Sequence, residues 1–137
     1  MSPRDRTPVA AGLLVRDESL LICQRREDQP MPLKWEFPGG KIDPGEDPRA
    51  ALRRELREEL AIDATIGIEV LRLEYNYPSA LVELHFFLVT RWHGEIQNRI
   101  FRAVQWVHRA ELPQYDFLEA DRSLIDDLAA GRVPTNG

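Results

Sequence analysis

The chain has 137 residues, 43% of them apolar and 30% charged, which is enough for one globular domain and unlike a disordered chain. Its 23 acidic and 18 basic residues give a formal charge of -5, which excludes a general binder of nucleic-acid polymers, whose surface must be basic. The acidity is uneven: residues 1–110 hold 17 acids and 16 bases, whereas residues 111–137 hold six acids and two bases.

Residues 1–7 are polar and are expected to form a flexible N-terminus. They carry no secretory signal pattern, and no apolar run along the chain reaches the roughly 20 residues needed to span a bilayer. A cytoplasmic domain with no membrane contact is expected. Pro8 to Val15 is apolar and predicts a strand. Asp17-Glu18-Ser19 is a turn, and Leu20 to Arg25 a second strand, so the two form a hairpin. Cys23, the single cysteine, lies in this second apolar run; it can form no internal disulfide, and a buried, inert thiol is expected. Residues 26–34 make a polar loop, Trp35-Glu36-Phe37 a short extended piece, and residues 41–46 another loop.

Asp47-Pro48 is a helix start, because aspartate caps free amides and proline suits the first helical position. The helix runs to about Leu60, with Leu52, Leu56 and Leu60 as its buried stripe. Ile62 to Tyr75 predicts one long strand or two short ones. Ala80 to Trp92 is a further strand, with Val82, Leu84, Phe86 and Leu88 on one face and Glu83, His85, Phe87 and Val89 on the other. Ala103 to Val107 is another strand, and Leu124, Ile125 and Leu128 mark a C-terminal helix ended by Gly131 and Pro134. The order favours an α+β (mixed α/β) fold, with a single domain over residues 8–131 and a flexible tail over 132–137.

Three carboxylates stand out within the first helix. Glu55, Glu58 and Glu59 lie at i, i+3 and i+4, on neighbouring sites of one face. Unpaired they repel, whereas a shared hard cation such as Mg²⁺ makes them favourable. The preceding Pro38-Gly39-Gly40 brings backbone close to a ligand, and Lys41 offers a mobile positive charge for phosphate. Arg54 is placed to pair with Glu46. Together these groups suit metal-assisted attack of water on a phosphoanhydride. Taken singly, each has a plainer reading: a solvated glutamate face laced with arginine, or a Gly-Gly turn.

Gly40, Glu46 and the run Arg54-Glu55-Leu56-Arg57-Glu58-Glu59-Leu60-Ala61-Ile62 resemble the Nudix box, G-x5-E-x7-R-E-U-x-E-E-x-G-U, at eight of its nine specified positions. The departure is Ala61, where the family has a glycine suited to a left-handed helix end; alanine should strain or shift that end. Leu20 to Arg26, Trp35 to Lys41, and Leu73 to Gly94 extend the resemblance to the MutT-like branch that acts on nucleoside triphosphates. The resemblance implies an α/β/α sandwich around a mixed sheet and hydrolysis dependent on Mg²⁺ (or Mn²⁺). It implies that Glu55, Glu58, Glu59 and the Gly39 carbonyl serve the metal, with Glu55 also orienting or deprotonating water. Glu46 and Arg54 are structural in the motif. Gln105 stands near where such enzymes often carry a further glutamate, and an amide cannot act as a base; Glu83 and Glu74 are possible substitutes.

The same resemblance assigns substrate binding to Arg26, Phe37, Gly40, Lys41 and Asp121, with the strand from Tyr77 to Phe86 as a wall of the base pocket. Asp121 has two readings, a reader of the base edge and an N-cap for the C-terminal helix. The expected substrate is a small nucleotide, a triphosphate such as 8-oxo-dGTP cleaved to monophosphate and pyrophosphate. CTP, methyl-dCTP and ADP-ribose are alternatives within the family; Pro78, 16 residues past the box, fits the ADP-ribose group without deciding for it. A non-catalytic nucleotide-binding module is the alternative of another class, and the intact glutamates argue against it. The sequence leaves the oligomeric state and the number of metals open, and assigns no role to His85, His93 or His108.

Overall fold

Strand β1 (Arg6–Arg16) has apolar residues on both faces because both faces are covered. Leu13 and Val15 enter one core with β2 (Ser19–Gln24) residues Leu20 and Ile22; Ala10 and Leu14 enter a second core with Leu21. The computed structural model describes residues 5–78 and 80–135. In it, β1 and β2 form the expected hairpin, and β2 pairs antiparallel with β3 (Trp35–Glu36) on one side and β9 (Ala103–His108) on the other. On its other side β1 runs parallel to β7 (Ala80–Val89), which pairs antiparallel with β6 (Glu69–Tyr77). The main sheet is therefore mixed. A small ribbon joins β5 (Asp63–Thr65) to β8 (Arg91–His93).

Helix α1 (Pro48–Leu60) lays Leu52, Leu56 and Leu60 on one face of the sheet, and α2 (Arg122–Ala129) lays Leu124, Ile125 and Leu128 on the other. This is the expected α/β/α sandwich. Asp47 caps α1, its side chain accepting the Ala50 N–H at 3.2 Å, with Pro48 at the first position. Among the described residues no helix is long and apolar enough to cross a membrane.

Several boundaries differ from the sequence reading. Strand β1 starts at Arg6, so residues 6 and 7 are not a loose end: Thr7 lies beside Val82 of β7, and Arg6 bonds Glu74 at 3.1 Å. A polar residue serves there because the strand's end meets carboxylates, not core. Residues 1–4 of the expected flexible N-terminus, and 136 and 137 of the expected tail, lie outside the described residues. The stretch from Gly39 to Lys41, read partly as loop, is a strand, β4, paired antiparallel with Val9, Ala10 and Ala11. The stretch Ile62 to Tyr75 resolves into two strands, β5 and β6. His85, on the half-polar face of β7, is buried, with Glu69 2.8 Å from one ring nitrogen and Glu83 2.8 Å from the other.

Ala61 ends α1 in the left-handed conformation, at φ 61° and ψ 31°, its N–H bonded to the Arg57 carbonyl. The helix end keeps the geometry that suits glycine, and alanine bears strain of roughly 1–2 kcal/mol there. Glycine would relieve it and give back part of the gain through the freer unfolded chain. Ala61→Gly is expected to raise unfolding stability by about 0.5–1 kcal/mol in urea titrations; equal or lower stability would show that Ala61 is unstrained.

Candidate active site

The α1 carboxylates share a side of the helix but not a depth. At about 100° per residue, Glu59 lies roughly 60° from the Leu56 direction, Glu55 about 100° and Glu58 about 160°. Glu59 is buried, with 7% of its surface exposed, the Glu55 side chain is 17% exposed, and the Glu58 side chain reaches solvent at 60%. Angle alone does not set this, since Arg53, about 60° from Leu56 on the other side, is exposed. Strand β4 lies against this face. The Gly39 N–H donates to Glu59 Oε1 at 3.0 Å. A Cβ on Gly40 would lie 2.5 Å from the Glu55 carboxyl carbon, so backbone and carboxylate meet only because that residue is glycine. At Gly39, φ is 151°, and a Cβ would come within 2.0 Å of the Ala10 carbonyl oxygen.

Arg54 fastens the loop ahead of the helix. Its Nε and Nη2 bond the two Glu46 oxygens at 3.1 and 3.0 Å, Nη2 also reaches the Lys41 carbonyl, and Nη1 bonds Glu55 at 2.9 Å. These bonds hold the Glu46 carboxyl below the usual carboxylate range. The deeper acids shift the other way. Burial, then the neighbouring Glu55 charge, pushes Glu59 up to about 9, against the Gly39 N–H, and burial also raises Glu55. This set of hard oxygen donors is short of positive charge, which fits a divalent cation. Among the described residues, however, no three histidine, cysteine, aspartate or glutamate side chains already converge as a metal cage.

Next to these groups lies a cavity of about 320 Å³. Gly39, Gly40, Lys41 and Glu59 line it, together with the apolar Phe37, Val82, Leu84 and Phe86. Asp121 lines it too, with only 4% of its surface exposed. The N-cap reading of Asp121 does not hold: its backbone is helical, at φ -90° and ψ -11°, and its side chain makes no capping bond. The reason is the 3₁₀ turn Glu119–Asp121, which leads into α2 and already supplies the Glu119 carbonyl to the Arg122 N–H. Burial, then the charge of Glu36, pushes Asp121 up to about 8. At neutral pH the cavity thus holds a carboxylic acid that both donates and accepts.

The sequence reading passed over Arg25 and Glu36. Arg25 lines the cavity and bonds both Glu36 oxygens at 3.2 and 3.3 Å. Arg26 is not among the lining residues; it bonds Asp28 at 3.0 Å and the Ile100 carbonyl at 2.8 Å, bracing a loop whose Ile100 and Phe101 do line it. Which of two successive arginines faces inward follows from the β2–β3 register, Cys23 opposite Glu36, and that register spans a loop whose length leaves it unread in the sequence. Gln105 is exposed and donates to the Tyr115 hydroxyl at 2.7 Å; Glu74 and Glu83 are engaged with Arg6 and His85. None of the three lines the cavity.

Comparison with known proteins agrees with this geometry: a family profile described as the NUDIX domain matches residues 6–128. The chain belongs to the Nudix family. It is 37% identical over 125 residues to the CTP pyrophosphohydrolase of Escherichia coli K12, covering 91% of this chain and 93% of that one. It is 38% identical over 122 residues to the 8-oxo-dGTP diphosphatase of Haemophilus influenzae, covering 88% and 89%. The solution structure of the E. coli ORF135 protein superposes with a TM-score of 0.83 at 36% identity, over 94% of this chain and 92% of that one. As a MutT-like Nudix hydrolase the chain acts on phosphoanhydride bonds, and the family generally uses a divalent metal.

Asp121 gives a pH test with a defined sign. Its proton is lost near 3.8 when unfolded and near 8 when folded. Between those values the native chain holds a proton that the unfolded chain lacks, so the stability this acid contributes is complete below about pH 4 and falls as pH rises towards 8. An asparagine at the same position carries no such proton. The stability of Asp121→Asn relative to the parent is expected to grow from pH 4 to pH 8 by at least about 1.4 kcal/mol, one unit of pKa shift. Parallel pH–stability curves would contradict the buried neutral acid.

Proposed function

We propose that this chain hydrolyses a nucleoside triphosphate to the monophosphate and pyrophosphate, and that its base is one presenting a hydrogen-bond acceptor beside a donor, as oxidised guanine does in 8-oxo-dGTP. The observation carrying the reading is that one cavity is lined both by the box glycines, Lys41 and Glu59 and by the buried acid Asp121, whose proton is held up to about 8. A protonated carboxyl donates from one oxygen and accepts at the other. It complements the O6 acceptor and N7–H donor of 8-oxoguanine, whereas ordinary guanine offers two acceptors on that edge. Cytosine, with N3 and its amino group, also offers an acceptor beside a donor. CTP is therefore the second reading, and the 37% identity to a CTP pyrophosphohydrolase favours it specifically.

Glu55, Glu58, Glu59 and the Gly39 carbonyl would hold the metal, for which Mg²⁺ (or Mn²⁺) suits an all-oxygen set. When bound, the ion neutralises phosphate charge and lowers the pKa of coordinated water. The protein's own groups do the rest. Lys41 meets the phosphates, its side chain standing at the exposed end of β4. Glu55, raised by burial, orients or deprotonates the attacking water. Phe37, buried and edge-on to Phe86 at 6.3 Å, forms the apolar wall against which the base lies. Arg54 and Glu46 keep the loop seated on the helix so that β4 keeps its place. Arg26 acts by bracing the 97–101 loop, and Arg25 is the arginine nearer the substrate. We place the reaction in the cytoplasm, where its substrates are made.

A panel of nucleotides incubated with Mg²⁺ and assayed separately for pyrophosphate and phosphate tests this reading. Pyrophosphate release, strongest for 8-oxo-dGTP or CTP, is expected; phosphate alone, or no turnover of any triphosphate, would defeat it. Glu58→Gln, at an exposed side chain, should retain the parent's melting temperature and lose at least ~100-fold in turnover. Turnover within a few-fold of the parent would remove Glu58 from the metal site.

A further inference from the structure

Asp121 makes no capping bond, so the aim of its carboxyl is inherited from the backbone that carries it. That backbone is the 3₁₀ turn Glu119–Asp121, and it is tied down at two points. Ahead of the turn, the Leu118 N–H donates to the Trp35 carbonyl of β3 at 3.0 Å. Within it, the Ala120 N–H donates to the phenol oxygen of Tyr77 at 3.0 Å. Ala120 is 4% exposed, so water does not readily replace the phenol as acceptor for that N–H.

Tyr77 is well built for the task. It is the last residue of β6, paired with Ala80 at the tip of the β6–β7 hairpin, and its ring packs 4.6 Å from that of Tyr75. It also lines the cavity, as do Ala80 and Val82 beyond it. The hairpin wall and the Asp121 turn are elements distant in sequence, and the phenol oxygen joins them where both line the cavity. The box glycines and the α1 carboxylates, by contrast, are held by β1 and Arg54, which this bond does not involve.

We infer that Tyr77 is a specificity-determining positioning residue whose hydroxyl fixes the 3₁₀ turn and thereby aims Asp121 at the base edge. The inference rests on the reading of Asp121 as the base-recognising group. Hydrogen bonds weaken steeply with misalignment, and a site that pairs a base edge loses discrimination when its partner is displaced by fractions of an ångström. Losing the hydroxyl should therefore affect base choice more than the reaction at the phosphates.

Tyr77→Phe keeps the ring and removes the acceptor. Steady-state kinetics of the full chain with Mg²⁺ and 8-oxo-dGTP, dGTP, CTP and dCTP should show KM for the best substrate rising about five- to tenfold, with a smaller fall in kcat. The ratio of kcat/KM between the best and next substrate should fall at least about fivefold. In an Asp121→Ala background, the same change should have no further effect on that ratio. Ranking altered by Asp121→Ala but untouched by Tyr77→Phe would overturn the positioning role alone. Ranking unchanged by Asp121→Ala would defeat the base-reading function, and the positioning role with it. A uniform fall in kcat for all four nucleotides, with KM unchanged, would show a merely structural tyrosine. Hydrogen exchange on the unaltered protein gives a check independent of any variant: the Ala120 amide should be protected at least about tenfold over an open amide, and an unprotected amide would mean that the bond is absent.

Discussion

Everything at the site depends on a close approach of backbone to backbone and of backbone to carboxylate. Gly39 and Gly40 lie between β1 and α1 where there is no free space for a side chain: a Cβ on Gly39 would strike the Ala10 carbonyl, and one on Gly40 would have to displace the Glu55 carboxyl group. This closeness lets the Gly39 N–H reach Glu59 while β4 stays in register with β1, and the glycines and Glu59 together line the cavity. The leucine stripe of α1 fixes the helix from the other side, so the glutamates are presented at a depth decided by core packing. Arg54 and Glu46 keep the intervening loop from drifting. The glycine strand, the stripe and the arginine clamp form one device.

Charge gives the second constraint. An acidic chain with a formal charge of -5 must accept an anionic ligand. The structure manages this by reducing the charge it shows to the cavity. Asp121 is neutral through burial, Glu36 is matched by Arg25, and Glu59 lies deep among acids that call for a cation. The acidic stretch near the C-terminus therefore contributes a neutral wall to the pocket through Asp121, while Asp126 and Asp127 lie on α2 beyond it.

Much of this was legible in the residues. The Asp47-Pro48 start, the Leu52-Leu56-Leu60 stripe and the spacing of Glu55, Glu58 and Glu59 are local facts, and local facts survive folding. The depth of each glutamate was not, because angle from the leucine stripe alone does not decide burial: Arg53 lies as far from the Leu56 direction as Glu59 does, on the other side, and is exposed. Nor was long-range pairing. Nothing local says that Gly39 to Lys41 becomes a strand; three residues, two of them glycine, have no strand propensity, and β1 imposes the conformation. The choice of Arg25 over Arg26, the union of Tyr77 with Ala120, and the inward aim of Asp121 depend on register across separate elements. Ala61 is the reverse case. The sequence showed the wrong residue for a left-handed helix end, and the backbone adopts that end regardless because the fold beyond it requires the turn.

The central claim is that Gly40 is empty of side chain so that the Glu55 carboxylate can occupy the space beside it. Gly40→Ala tests this most directly, since the added Cβ would meet the far end of a flexible side chain and not backbone. Turnover of the best triphosphate with Mg²⁺, measured beside the melting temperature, separates a displaced carboxylate from a broken fold. The account predicts a chain that still melts cooperatively within a few degrees of the parent and has lost at least ~100-fold in turnover. Full activity in a folded Gly40→Ala chain would show that the carboxylate does not need that space, and would contradict the arrangement on which the rest is built.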